Sequence, residues 1–372
     1  MTDAQVRVVL NRFRRPGVIE APSRAPVRAF HRTLPGYAAT PLVSRPALAV
    51  ALGLGGLYVK YEAPRFGLGA FKGLGASWAL HRLQTERSAP LGTVSAASAG
   101  NHGRAVAWAA RLAGLPCVIF LPSGATPAQV DAIRGEGARV ELVEGSYEDA
   151  VQHCARVSQA QGWQVISDVG YPGYLEIPPL VVEGYSTVFA EIDEQLAQAG
   201  WREPDAVLIP AGVGGILHAG VEHYRRRARP PRIIGVEPVA GDCLSASLQS
   251  DDGAPAVSAG NGKTTMSYLN CAEVSLSSWP AIRDGIDAMV GVDDAVAEQG
   301  MRLLFAAARG EISLEAGSSG ASTTGALAGL AAGGVDPALR ERLGLGPDRT
   351  VLVVCTQGAI DQAHFRRVVG SG

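Results

Sequence analysis

The sequence predicts an α/β protein built on open, mostly parallel sheets. Three observations point there. Short β-branched runs alternate with glycine-rich turns and helical stretches along most of the 372 residues, the rhythm of strands joined by crossover helices. Several runs are continuously apolar, as strands covered on both faces are. At about 150 residues per domain, the length suits roughly two domains.

The elements follow in order. Residues 57–61 (LYVKY) form the first candidate strand. Residues 93–96 (TVSA) run into a turn of small residues and the helical pattern 104–113. The apolar run 117–121 (CVIFL) precedes a helix over 127–135, where Pro127-Ala128 followed by Val130 and Ile133 reads as a helix start. Strand 139–143 leads to helix 147–161, and strand 164–166 to helix 183–199. Strand 206–210 (AVLIP) runs through a glycine turn into helix 217–227. Strands 233–236 and 289–292, helix 295–308, strand 351–355 and a closing helix over 360–369 complete the chain. Residues 250–261 (SDDGAPAVSAGN) are the clearest loop.

Composition narrows the class. Basic residues number 33 against 35 acids, for a net charge of −2. That balance supplies no overall field for a nucleic-acid backbone or an anionic membrane. With 47% hydrophobic and 18% charged residues the chain is expected to bury a large core. The longest uncharged apolar stretch, 47–59, has 13 residues, short of the roughly 18 that span a bilayer. Asp3 and Arg7, Arg12, Arg14 and Arg15 leave no apolar region for a secretory signal. Five widely spaced cysteines without a CxxC pair fit reduced thiols and a cytoplasmic location better than a disulfide framework or a zinc site.

Glycine, at 46 residues, falls in clusters. In AVLIPAGVGGIL (206–217), bare amides at a helix N-terminus would cradle a phosphate. The stretch lacks both the P-loop lysine and a complete dinucleotide fingerprint, and a tight structural turn is the competing reading. In SAASAGNHGR (95–104), Ser98, Ala99 and Gly100 leave amides open to a carboxylate, and Asn101 adds an amide donor. Here the alternatives are a helix cap for Ser98 or Asn101 and a capped surface histidine for His102. The third cluster, FGLGAFKGLG (66–75), holds Lys72.

Only three of the 33 basic residues are lysines: Lys60, Lys72 and Lys263. Lys60 lies in a strand and Lys263 in the polar loop, so Lys72 is the one placed for covalent chemistry. Burial among glycines and aromatics would lower its pKa and favour the free amine that a Schiff base requires. A flexible loop with a solvated lysine is the bland alternative. A reactive lysine, a phosphate cradle and an amide donor together suggest pyridoxal phosphate.

On these residues the chain resembles the fold-type II pyridoxal-phosphate enzymes, the threonine dehydratase and tryptophan synthase β group. Within that group it is most similar to the diaminopropionate ammonia-lyases. The resemblance runs from about Thr40 to Val369 through RFGLGAFKGLG, SAGNHGRAVAWAA, SDVGYPGYLEIP, TTMSYLNC, WPAIRDGIDAMVGVDD and VLVVCTQGAID. It implies two open parallel-sheet domains with the cofactor between them. The large one takes residues 1–75 and 189–372, the small one 76–188. A homodimer acting on a small amino-acid substrate is also implied.

Carried over residue by residue, the resemblance makes Lys72 the Schiff-base lysine, with Phe71 beside it. Gly212, Val213, Gly214, Gly215 and Ile216 hold the phosphate. Asn101 donates to the ring 3′-oxygen, and Thr356 faces the pyridine nitrogen. A hydroxyl there leaves the ring nitrogen largely unprotonated, which favours expulsion of a β-leaving group over transamination. Asp168 would hold a β-ammonium group, a strand-end cap being the alternative. Ser98, Ala99, Gly100, His102 and Tyr268 would line the substrate site. The implied reaction is α,β-elimination from a β-substituted L-amino acid, giving pyruvate and ammonia.

The chain departs from the family at several positions. Ala99 stands where the ammonia-lyases have an aspartate associated with the D-isomer. Ser267, Tyr268 and Ala272 replace small residues, and Gly69 replaces an asparagine. Tyr268 is expected to narrow the pocket. β-Replacement synthesis or dehydration of a related substrate, and non-covalent nucleotide binding at 212–217, stand as alternatives.

Overall fold

The structure, a computed structural model, describes residues 6–15, 25–331 and 335–370. Eleven strands are seen among them. They are β1 (Val6–Leu10), β2 (Leu42–Ser44), β3 (Gly56–Tyr61), β4 (Val94–Ala97), β5 (Cys117–Pro122), β6 (Arg139–Val143), β7 (Gln164–Val165), β8 (Ala206–Pro210), β9 (Arg232–Pro238), β10 (Ala288–Val292) and β11 (Thr350–Cys355). They form a seven-stranded sheet of order β1-β10-β9-β8-β11-β3-β2 and a four-stranded sheet of order β6-β5-β4-β7. The inner strands of the large sheet and every pair in the small sheet are parallel.

All nine strands expected from the sequence are present, with ends moved by two residues at most. The two that were not anticipated, β1 and β2, pair antiparallel at the edges of the large sheet. Edge strands are covered on fewer sides and need no continuous apolar run. β1 shows this, with only Val9 fully buried.

The helix anticipated at 183 begins at Ile177, with proline in its first turn. Among the described residues, five short α-helices were not anticipated, and two long ones escaped the sequence reading for one shared reason. Lys72–Glu86 and Ser318–Ala331 are rich in glycine and small polar residues, which have low helix propensity. Their glycines serve close packing instead. A Cβ on Gly75 would lie 2.5 Å from the Tyr185 ring, and one on Gly184 would lie 2.5 Å from the Leu74 carbonyl. The helices Lys72–Glu86 and Ile177–Ala199 therefore meet almost backbone to backbone. A Cβ on Gly325 would likewise lie 2.1 Å from the carbonyl of Val296, in the helix Asp294–Phe305.

Helices cover both faces of the large sheet. One face buries Val181, Tyr185, Phe189, Leu217 and Ile282. The other buries Val59, Leu208, Met301 and Leu327. The small sheet has its own core around Ile119, Val106 and Leu80. Among the described residues, no helix is long and apolar enough to cross a membrane, and all five cysteines are free.

Candidate active site

Except for Tyr268, which lies in the loop between the helices Cys243–Gln249 and Trp279–Gly285, the anticipated site residues sit on segments that leave the carboxyl ends of parallel strands, where open α/β sheets bind ligands. The chain leaves β3 and reaches Lys72 through residues 62–71. Asn101 follows β4, Asp168 follows β7, Gly212 follows β8 and Thr356 follows β11.

Lys72 is the first residue of the helix Lys72–Glu86. The approach to it is tightly determined: Phe66 adopts φ +53°, and Gly67 and Gly69 are also left-handed. Arg65 is buried and donates to Glu62 and Glu191. Backbone pairing adds to this. Phe71 N–H donates to the Thr356 carbonyl at 3.3 Å, and Gly358 N–H donates to the Gly69 carbonyl at 2.9 Å. The lysine is thus placed by an ordered turn rather than a flexible loop.

Lys72 Nζ donates to Asp168 Oδ2 at 2.5 Å and lies 5.1 Å from the Phe71 ring centroid and 5.6 Å from that of Tyr185. Asp168 bonds the lysine instead of capping a strand. His102 is buried rather than at the surface. Its Nε2–H donates to the Ile166 carbonyl at 3.0 Å, which leaves Nδ1 as a bare acceptor 3.8 Å from Asp168 Oδ2 with no partner among the described residues.

The turn Ser98–Gly100 opens the helix Asn101–Leu112 at Gly100, with no side-chain cap. Ser98 Oγ instead accepts from Gly100 N–H at 3.2 Å. Asn101 Nδ2 donates to Gln357 Oε1 at 2.8 Å. The Tyr268 ring lies against the same turn, 3.2 Å from where a Gly100 Cβ would stand. Its loop is pinned by Thr264 to Asp294 at 2.5 Å and by Ser318 to the Thr265 carbonyl at 2.6 Å. The Tyr268 ring thus stands beside the turn itself.

The 212–216 loop meets the requirements of a phosphate site. Among the described residues, the amides of Gly212, Gly214, Gly215 and Ile216 have no backbone acceptor, while Val213 N–H faces the Cys271 sulfur. Gly214 takes φ +105° at the start of the helix Gly215–Tyr224. That conformation suits glycine, and bare N–H groups at a helix start favour an anion. Gly215 packs on the same Tyr185 ring that lies under Lys72, so cradle and lysine share one wall. The Tyr185 hydroxyl has no partner among the described residues. A lysine amine, four unpaired amides at a helix N-terminus and a nearby Asn101 fit an aldehyde cofactor that bears a phosphate.

A family model described as "Pyridoxal-phosphate dependent enzyme" matches residues 33–356. The chain belongs to this family. Curated pyridoxal-phosphate dependent relatives include the diaminopropionate ammonia-lyase of Salmonella typhimurium strain LT2, 35% identical over 93% of this chain and 91% of that protein. The enzyme of the same name from Escherichia coli K12 is 34% identical over 93% and 90%. A crystal structure of the Escherichia coli enzyme, in complex with an aminoacrylate–PLP azomethine intermediate, superposes with TM-score 0.91 at 32% identity, covering 100% of this chain and 98% of that one. The chain is a fold-type II pyridoxal-phosphate dependent enzyme.

One expectation for this enzyme is reversed. Burial does pull the Lys72 ammonium down, but Asp168 more than offsets it, and the lysine stays above its ordinary value. Burial likewise pushes Asp168 up, while His102 and Lys72 draw it well below the usual carboxylate range. The two form an ion pair, and the free amine is the minority form. For His102, burial outweighs Asp168 and lowers the pKa, while the Ile166 carbonyl fixes the proton on Nε2.

Three residues of the pocket carried no sequence signal. Tyr147 opens the helix Tyr147–Gln161 with an exposed ring, and its hydroxyl is raised by burial first and then by the Asp168 and Cys271 charges. Tyr185 projects from mid-helix, and Gln357 follows Thr356. None sits in a glycine cluster, and only the fold brings them in. Cys271 packs beside Gly212, and burial pushes its thiol up to about 12. Lys60 is buried on Glu191 at 2.7 Å, and Lys263 is exposed.

Proposed function

We propose that this chain is a lyase that eliminates the β-substituent from a β-substituted L-amino acid, with L-2,3-diaminopropionate as its best substrate and pyruvate and ammonia as products. The observation that carries this reading is Asp168 at 2.5 Å from Lys72. A carboxylate beside the base can hold a second ammonium group close to the Cα proton. The named activity of the Salmonella and Escherichia coli relatives supports the choice of substrate.

When bound, pyridoxal phosphate supplies an electron sink that acidifies the substrate Cα–H. Lys72 would hold it covalently, Gly212 to Ile216 its phosphate, Asn101 its ring oxygen and Thr356 its ring nitrogen. Lys72 would then serve as the base for the Cα proton. The electron pair left at Cα would form the Cα–Cβ double bond as the Cβ–N bond breaks with its pair on nitrogen, so that the β-ammonium held by Asp168 leaves as neutral ammonia. Water then converts the remaining three-carbon unit to pyruvate and a second ammonia. Ser98 to Gly100 would hold the substrate carboxylate. His102 backs Asp168, and Tyr268 limits the room beside the turn. Ala99 stands where the ammonia-lyases carry the aspartate associated with the D-isomer, so D-isomers are expected to be poor substrates.

The same proposal divides the chain into a unit of residues 76–188 and one of 1–75 and 189–372, because each sheet draws its strands from one of these ranges. The free cysteines support a cytoplasmic location, and a homodimer is expected from the family. Dehydration or β-replacement of a related substrate is the second reading, favoured by Ala99 and by the Tyr268 ring on Gly100.

The test is a panel of β-substituted amino acids, both isomers, assayed for pyruvate and ammonia without a second substrate. L-Diaminopropionate is expected to be turned over best, bulky β-substituents and D-isomers poorly. Lys72→Ala should lose on the order of 10³-fold in rate, and borohydride should fix the cofactor on Lys72. Turnover of another β-substituted acid, with none of L-diaminopropionate, would overturn the substrate. A colourless protein that takes up no cofactor would overturn the whole reading.

A further inference from the structure

We propose that Gln357 is a positioning residue that sets the orientation of Asn101 toward the cofactor; this rests on the cofactor site proposed above. Gln357 stands where three segments of the site converge. It bridges to Ala70 in the approach to Lys72, follows Thr356 directly, and accepts from Asn101 Nδ2 at 2.8 Å across 256 positions of sequence.

An asparagine carboxamide is nearly the same shape when rotated by 180°, yet one edge donates and the other accepts. An oxygen on the cofactor ring needs the donor edge, because two acceptors facing each other repel. Gln357 Oε1 is an acceptor and selects the orientation with Nδ2 on its side. Nδ2 carries two hydrogens, so one stays on Gln357 and the other is free for the ring oxygen.

Gln357 is itself held firmly. It is buried, and its backbone lies where a Gly320 Cβ would come within 2.2 Å of its carbonyl oxygen. Its Nε2 lies 3.1 Å from the position of a Gly317 Cβ. The two glycines at the head of the helix Ser318–Ala331 therefore leave room for the Gln357 main chain and its amide. With its main chain so placed, Gln357 presents Oε1 to Asn101 at 2.8 Å.

The experiment titrates pyridoxal phosphate into cofactor-free wild type, Gln357→Leu, Gln357→Glu, Asn101→Ala and the Leu/Ala double variant. It reads the dissociation constant and the visible circular dichroism of the bound cofactor. Gln357→Leu is expected to weaken binding about 10-fold, the scale of one buried hydrogen bond, and to alter the dichroic band. Gln357→Glu retains an acceptor and should restore both to within about 3-fold. The double variant should be no weaker than Asn101→Ala, since the two residues act as one. If Gln357→Leu fails to fold by thermal melting, Gln357→Asn, whose shorter arm withdraws the acceptor, takes its place. Equal affinity and an unchanged band in Gln357→Leu, or additive losses in the double variant, would overturn the inference while leaving the cofactor site intact. A wild type that takes up no cofactor would overturn both.

Discussion

A lysine and a carboxylate 2.5 Å apart in a buried cleft set each other's charge. Schiff-base formation consumes a neutral amine, yet Asp168 keeps Lys72 protonated above its ordinary value against the pull of burial. In the cofactor-free protein, uptake should therefore be slow at neutral pH and rise about tenfold per pH unit on the alkaline side. Asp168→Asn removes the offsetting charge and leaves burial alone, so its uptake profile should shift to lower pH and run faster at pH 7. Stopped-flow absorbance on cofactor addition reads this; identical profiles for both proteins would count against the ion pair. The same variant should lose turnover of L-diaminopropionate, because nothing then holds the β-ammonium. The scarcity of lysine isolates Lys72 in the sequence. Its charge state is not legible there, because the deciding carboxylate lies 96 positions away and only the fold brings the two together.

At the scale of elements, what the sequence could announce depended on which force built each piece. Inner strands such as β8, β9 and β11 announce themselves because burial on both faces demands continuous apolar runs. The helices Lys72–Glu86 and Ser318–Ala331 do not, since their glycines are chosen by the partner helix rather than by propensity. The phosphate loop was legible as bare glycine after a strand. Tyr147, Tyr185 and Gln357 were not, because each belongs to an element whose local pattern says only helix or loop. Glu237 is another such residue. It ends β9 and accepts the amides of Leu244 and Ser245 at 3.1 and 2.8 Å. Burial raises its carboxyl to about 7, against the pull of those same N–H groups. An acid whose folded pKa lies above its unfolded value contributes stability below the unfolded pKa, and that contribution is lost as pH rises through about 7. Glu237→Gln should therefore gain stability relative to wild type between pH 5.5 and 8.5, by at most about 2 kcal/mol. Denaturant melts at the two pH values test it; a difference independent of pH would argue against the buried carboxyl.

Across the whole molecule, the approach to the active lysine is tied to the long helix by a cluster of charges with side chains fully buried. Lys60, Glu62, Arg65 and Glu191 balance two cations against two anions, and Tyr37 and Thr40 complete the bonding. Glu191 belongs to the helix Ile177–Ala199, whose N-terminal Ile177 joins the small-sheet core while Val181 and Tyr185 join the large-sheet core. Its carboxylate thus anchors residues 62–71 to the element that both sheets share. Deleting one partner of a buried pair typically costs about 3–5 kcal/mol, because it strands the other charge. Glu191→Gln leaves two cations facing one anion, so it should lower the melting temperature by roughly 5–10 °C. It should also weaken cofactor binding, since the freed segment leads to Lys72. Adding Lys60→Met removes the surplus cation and leaves Arg65 matched by Glu62, so the double variant should recover most of the loss in melting temperature. Thermal melts of the three proteins decide it. A double variant less stable than Glu191→Gln would mean that Lys60 holds the structure through its bonds to the Thr40 carbonyl and Gln195 rather than through charge balance.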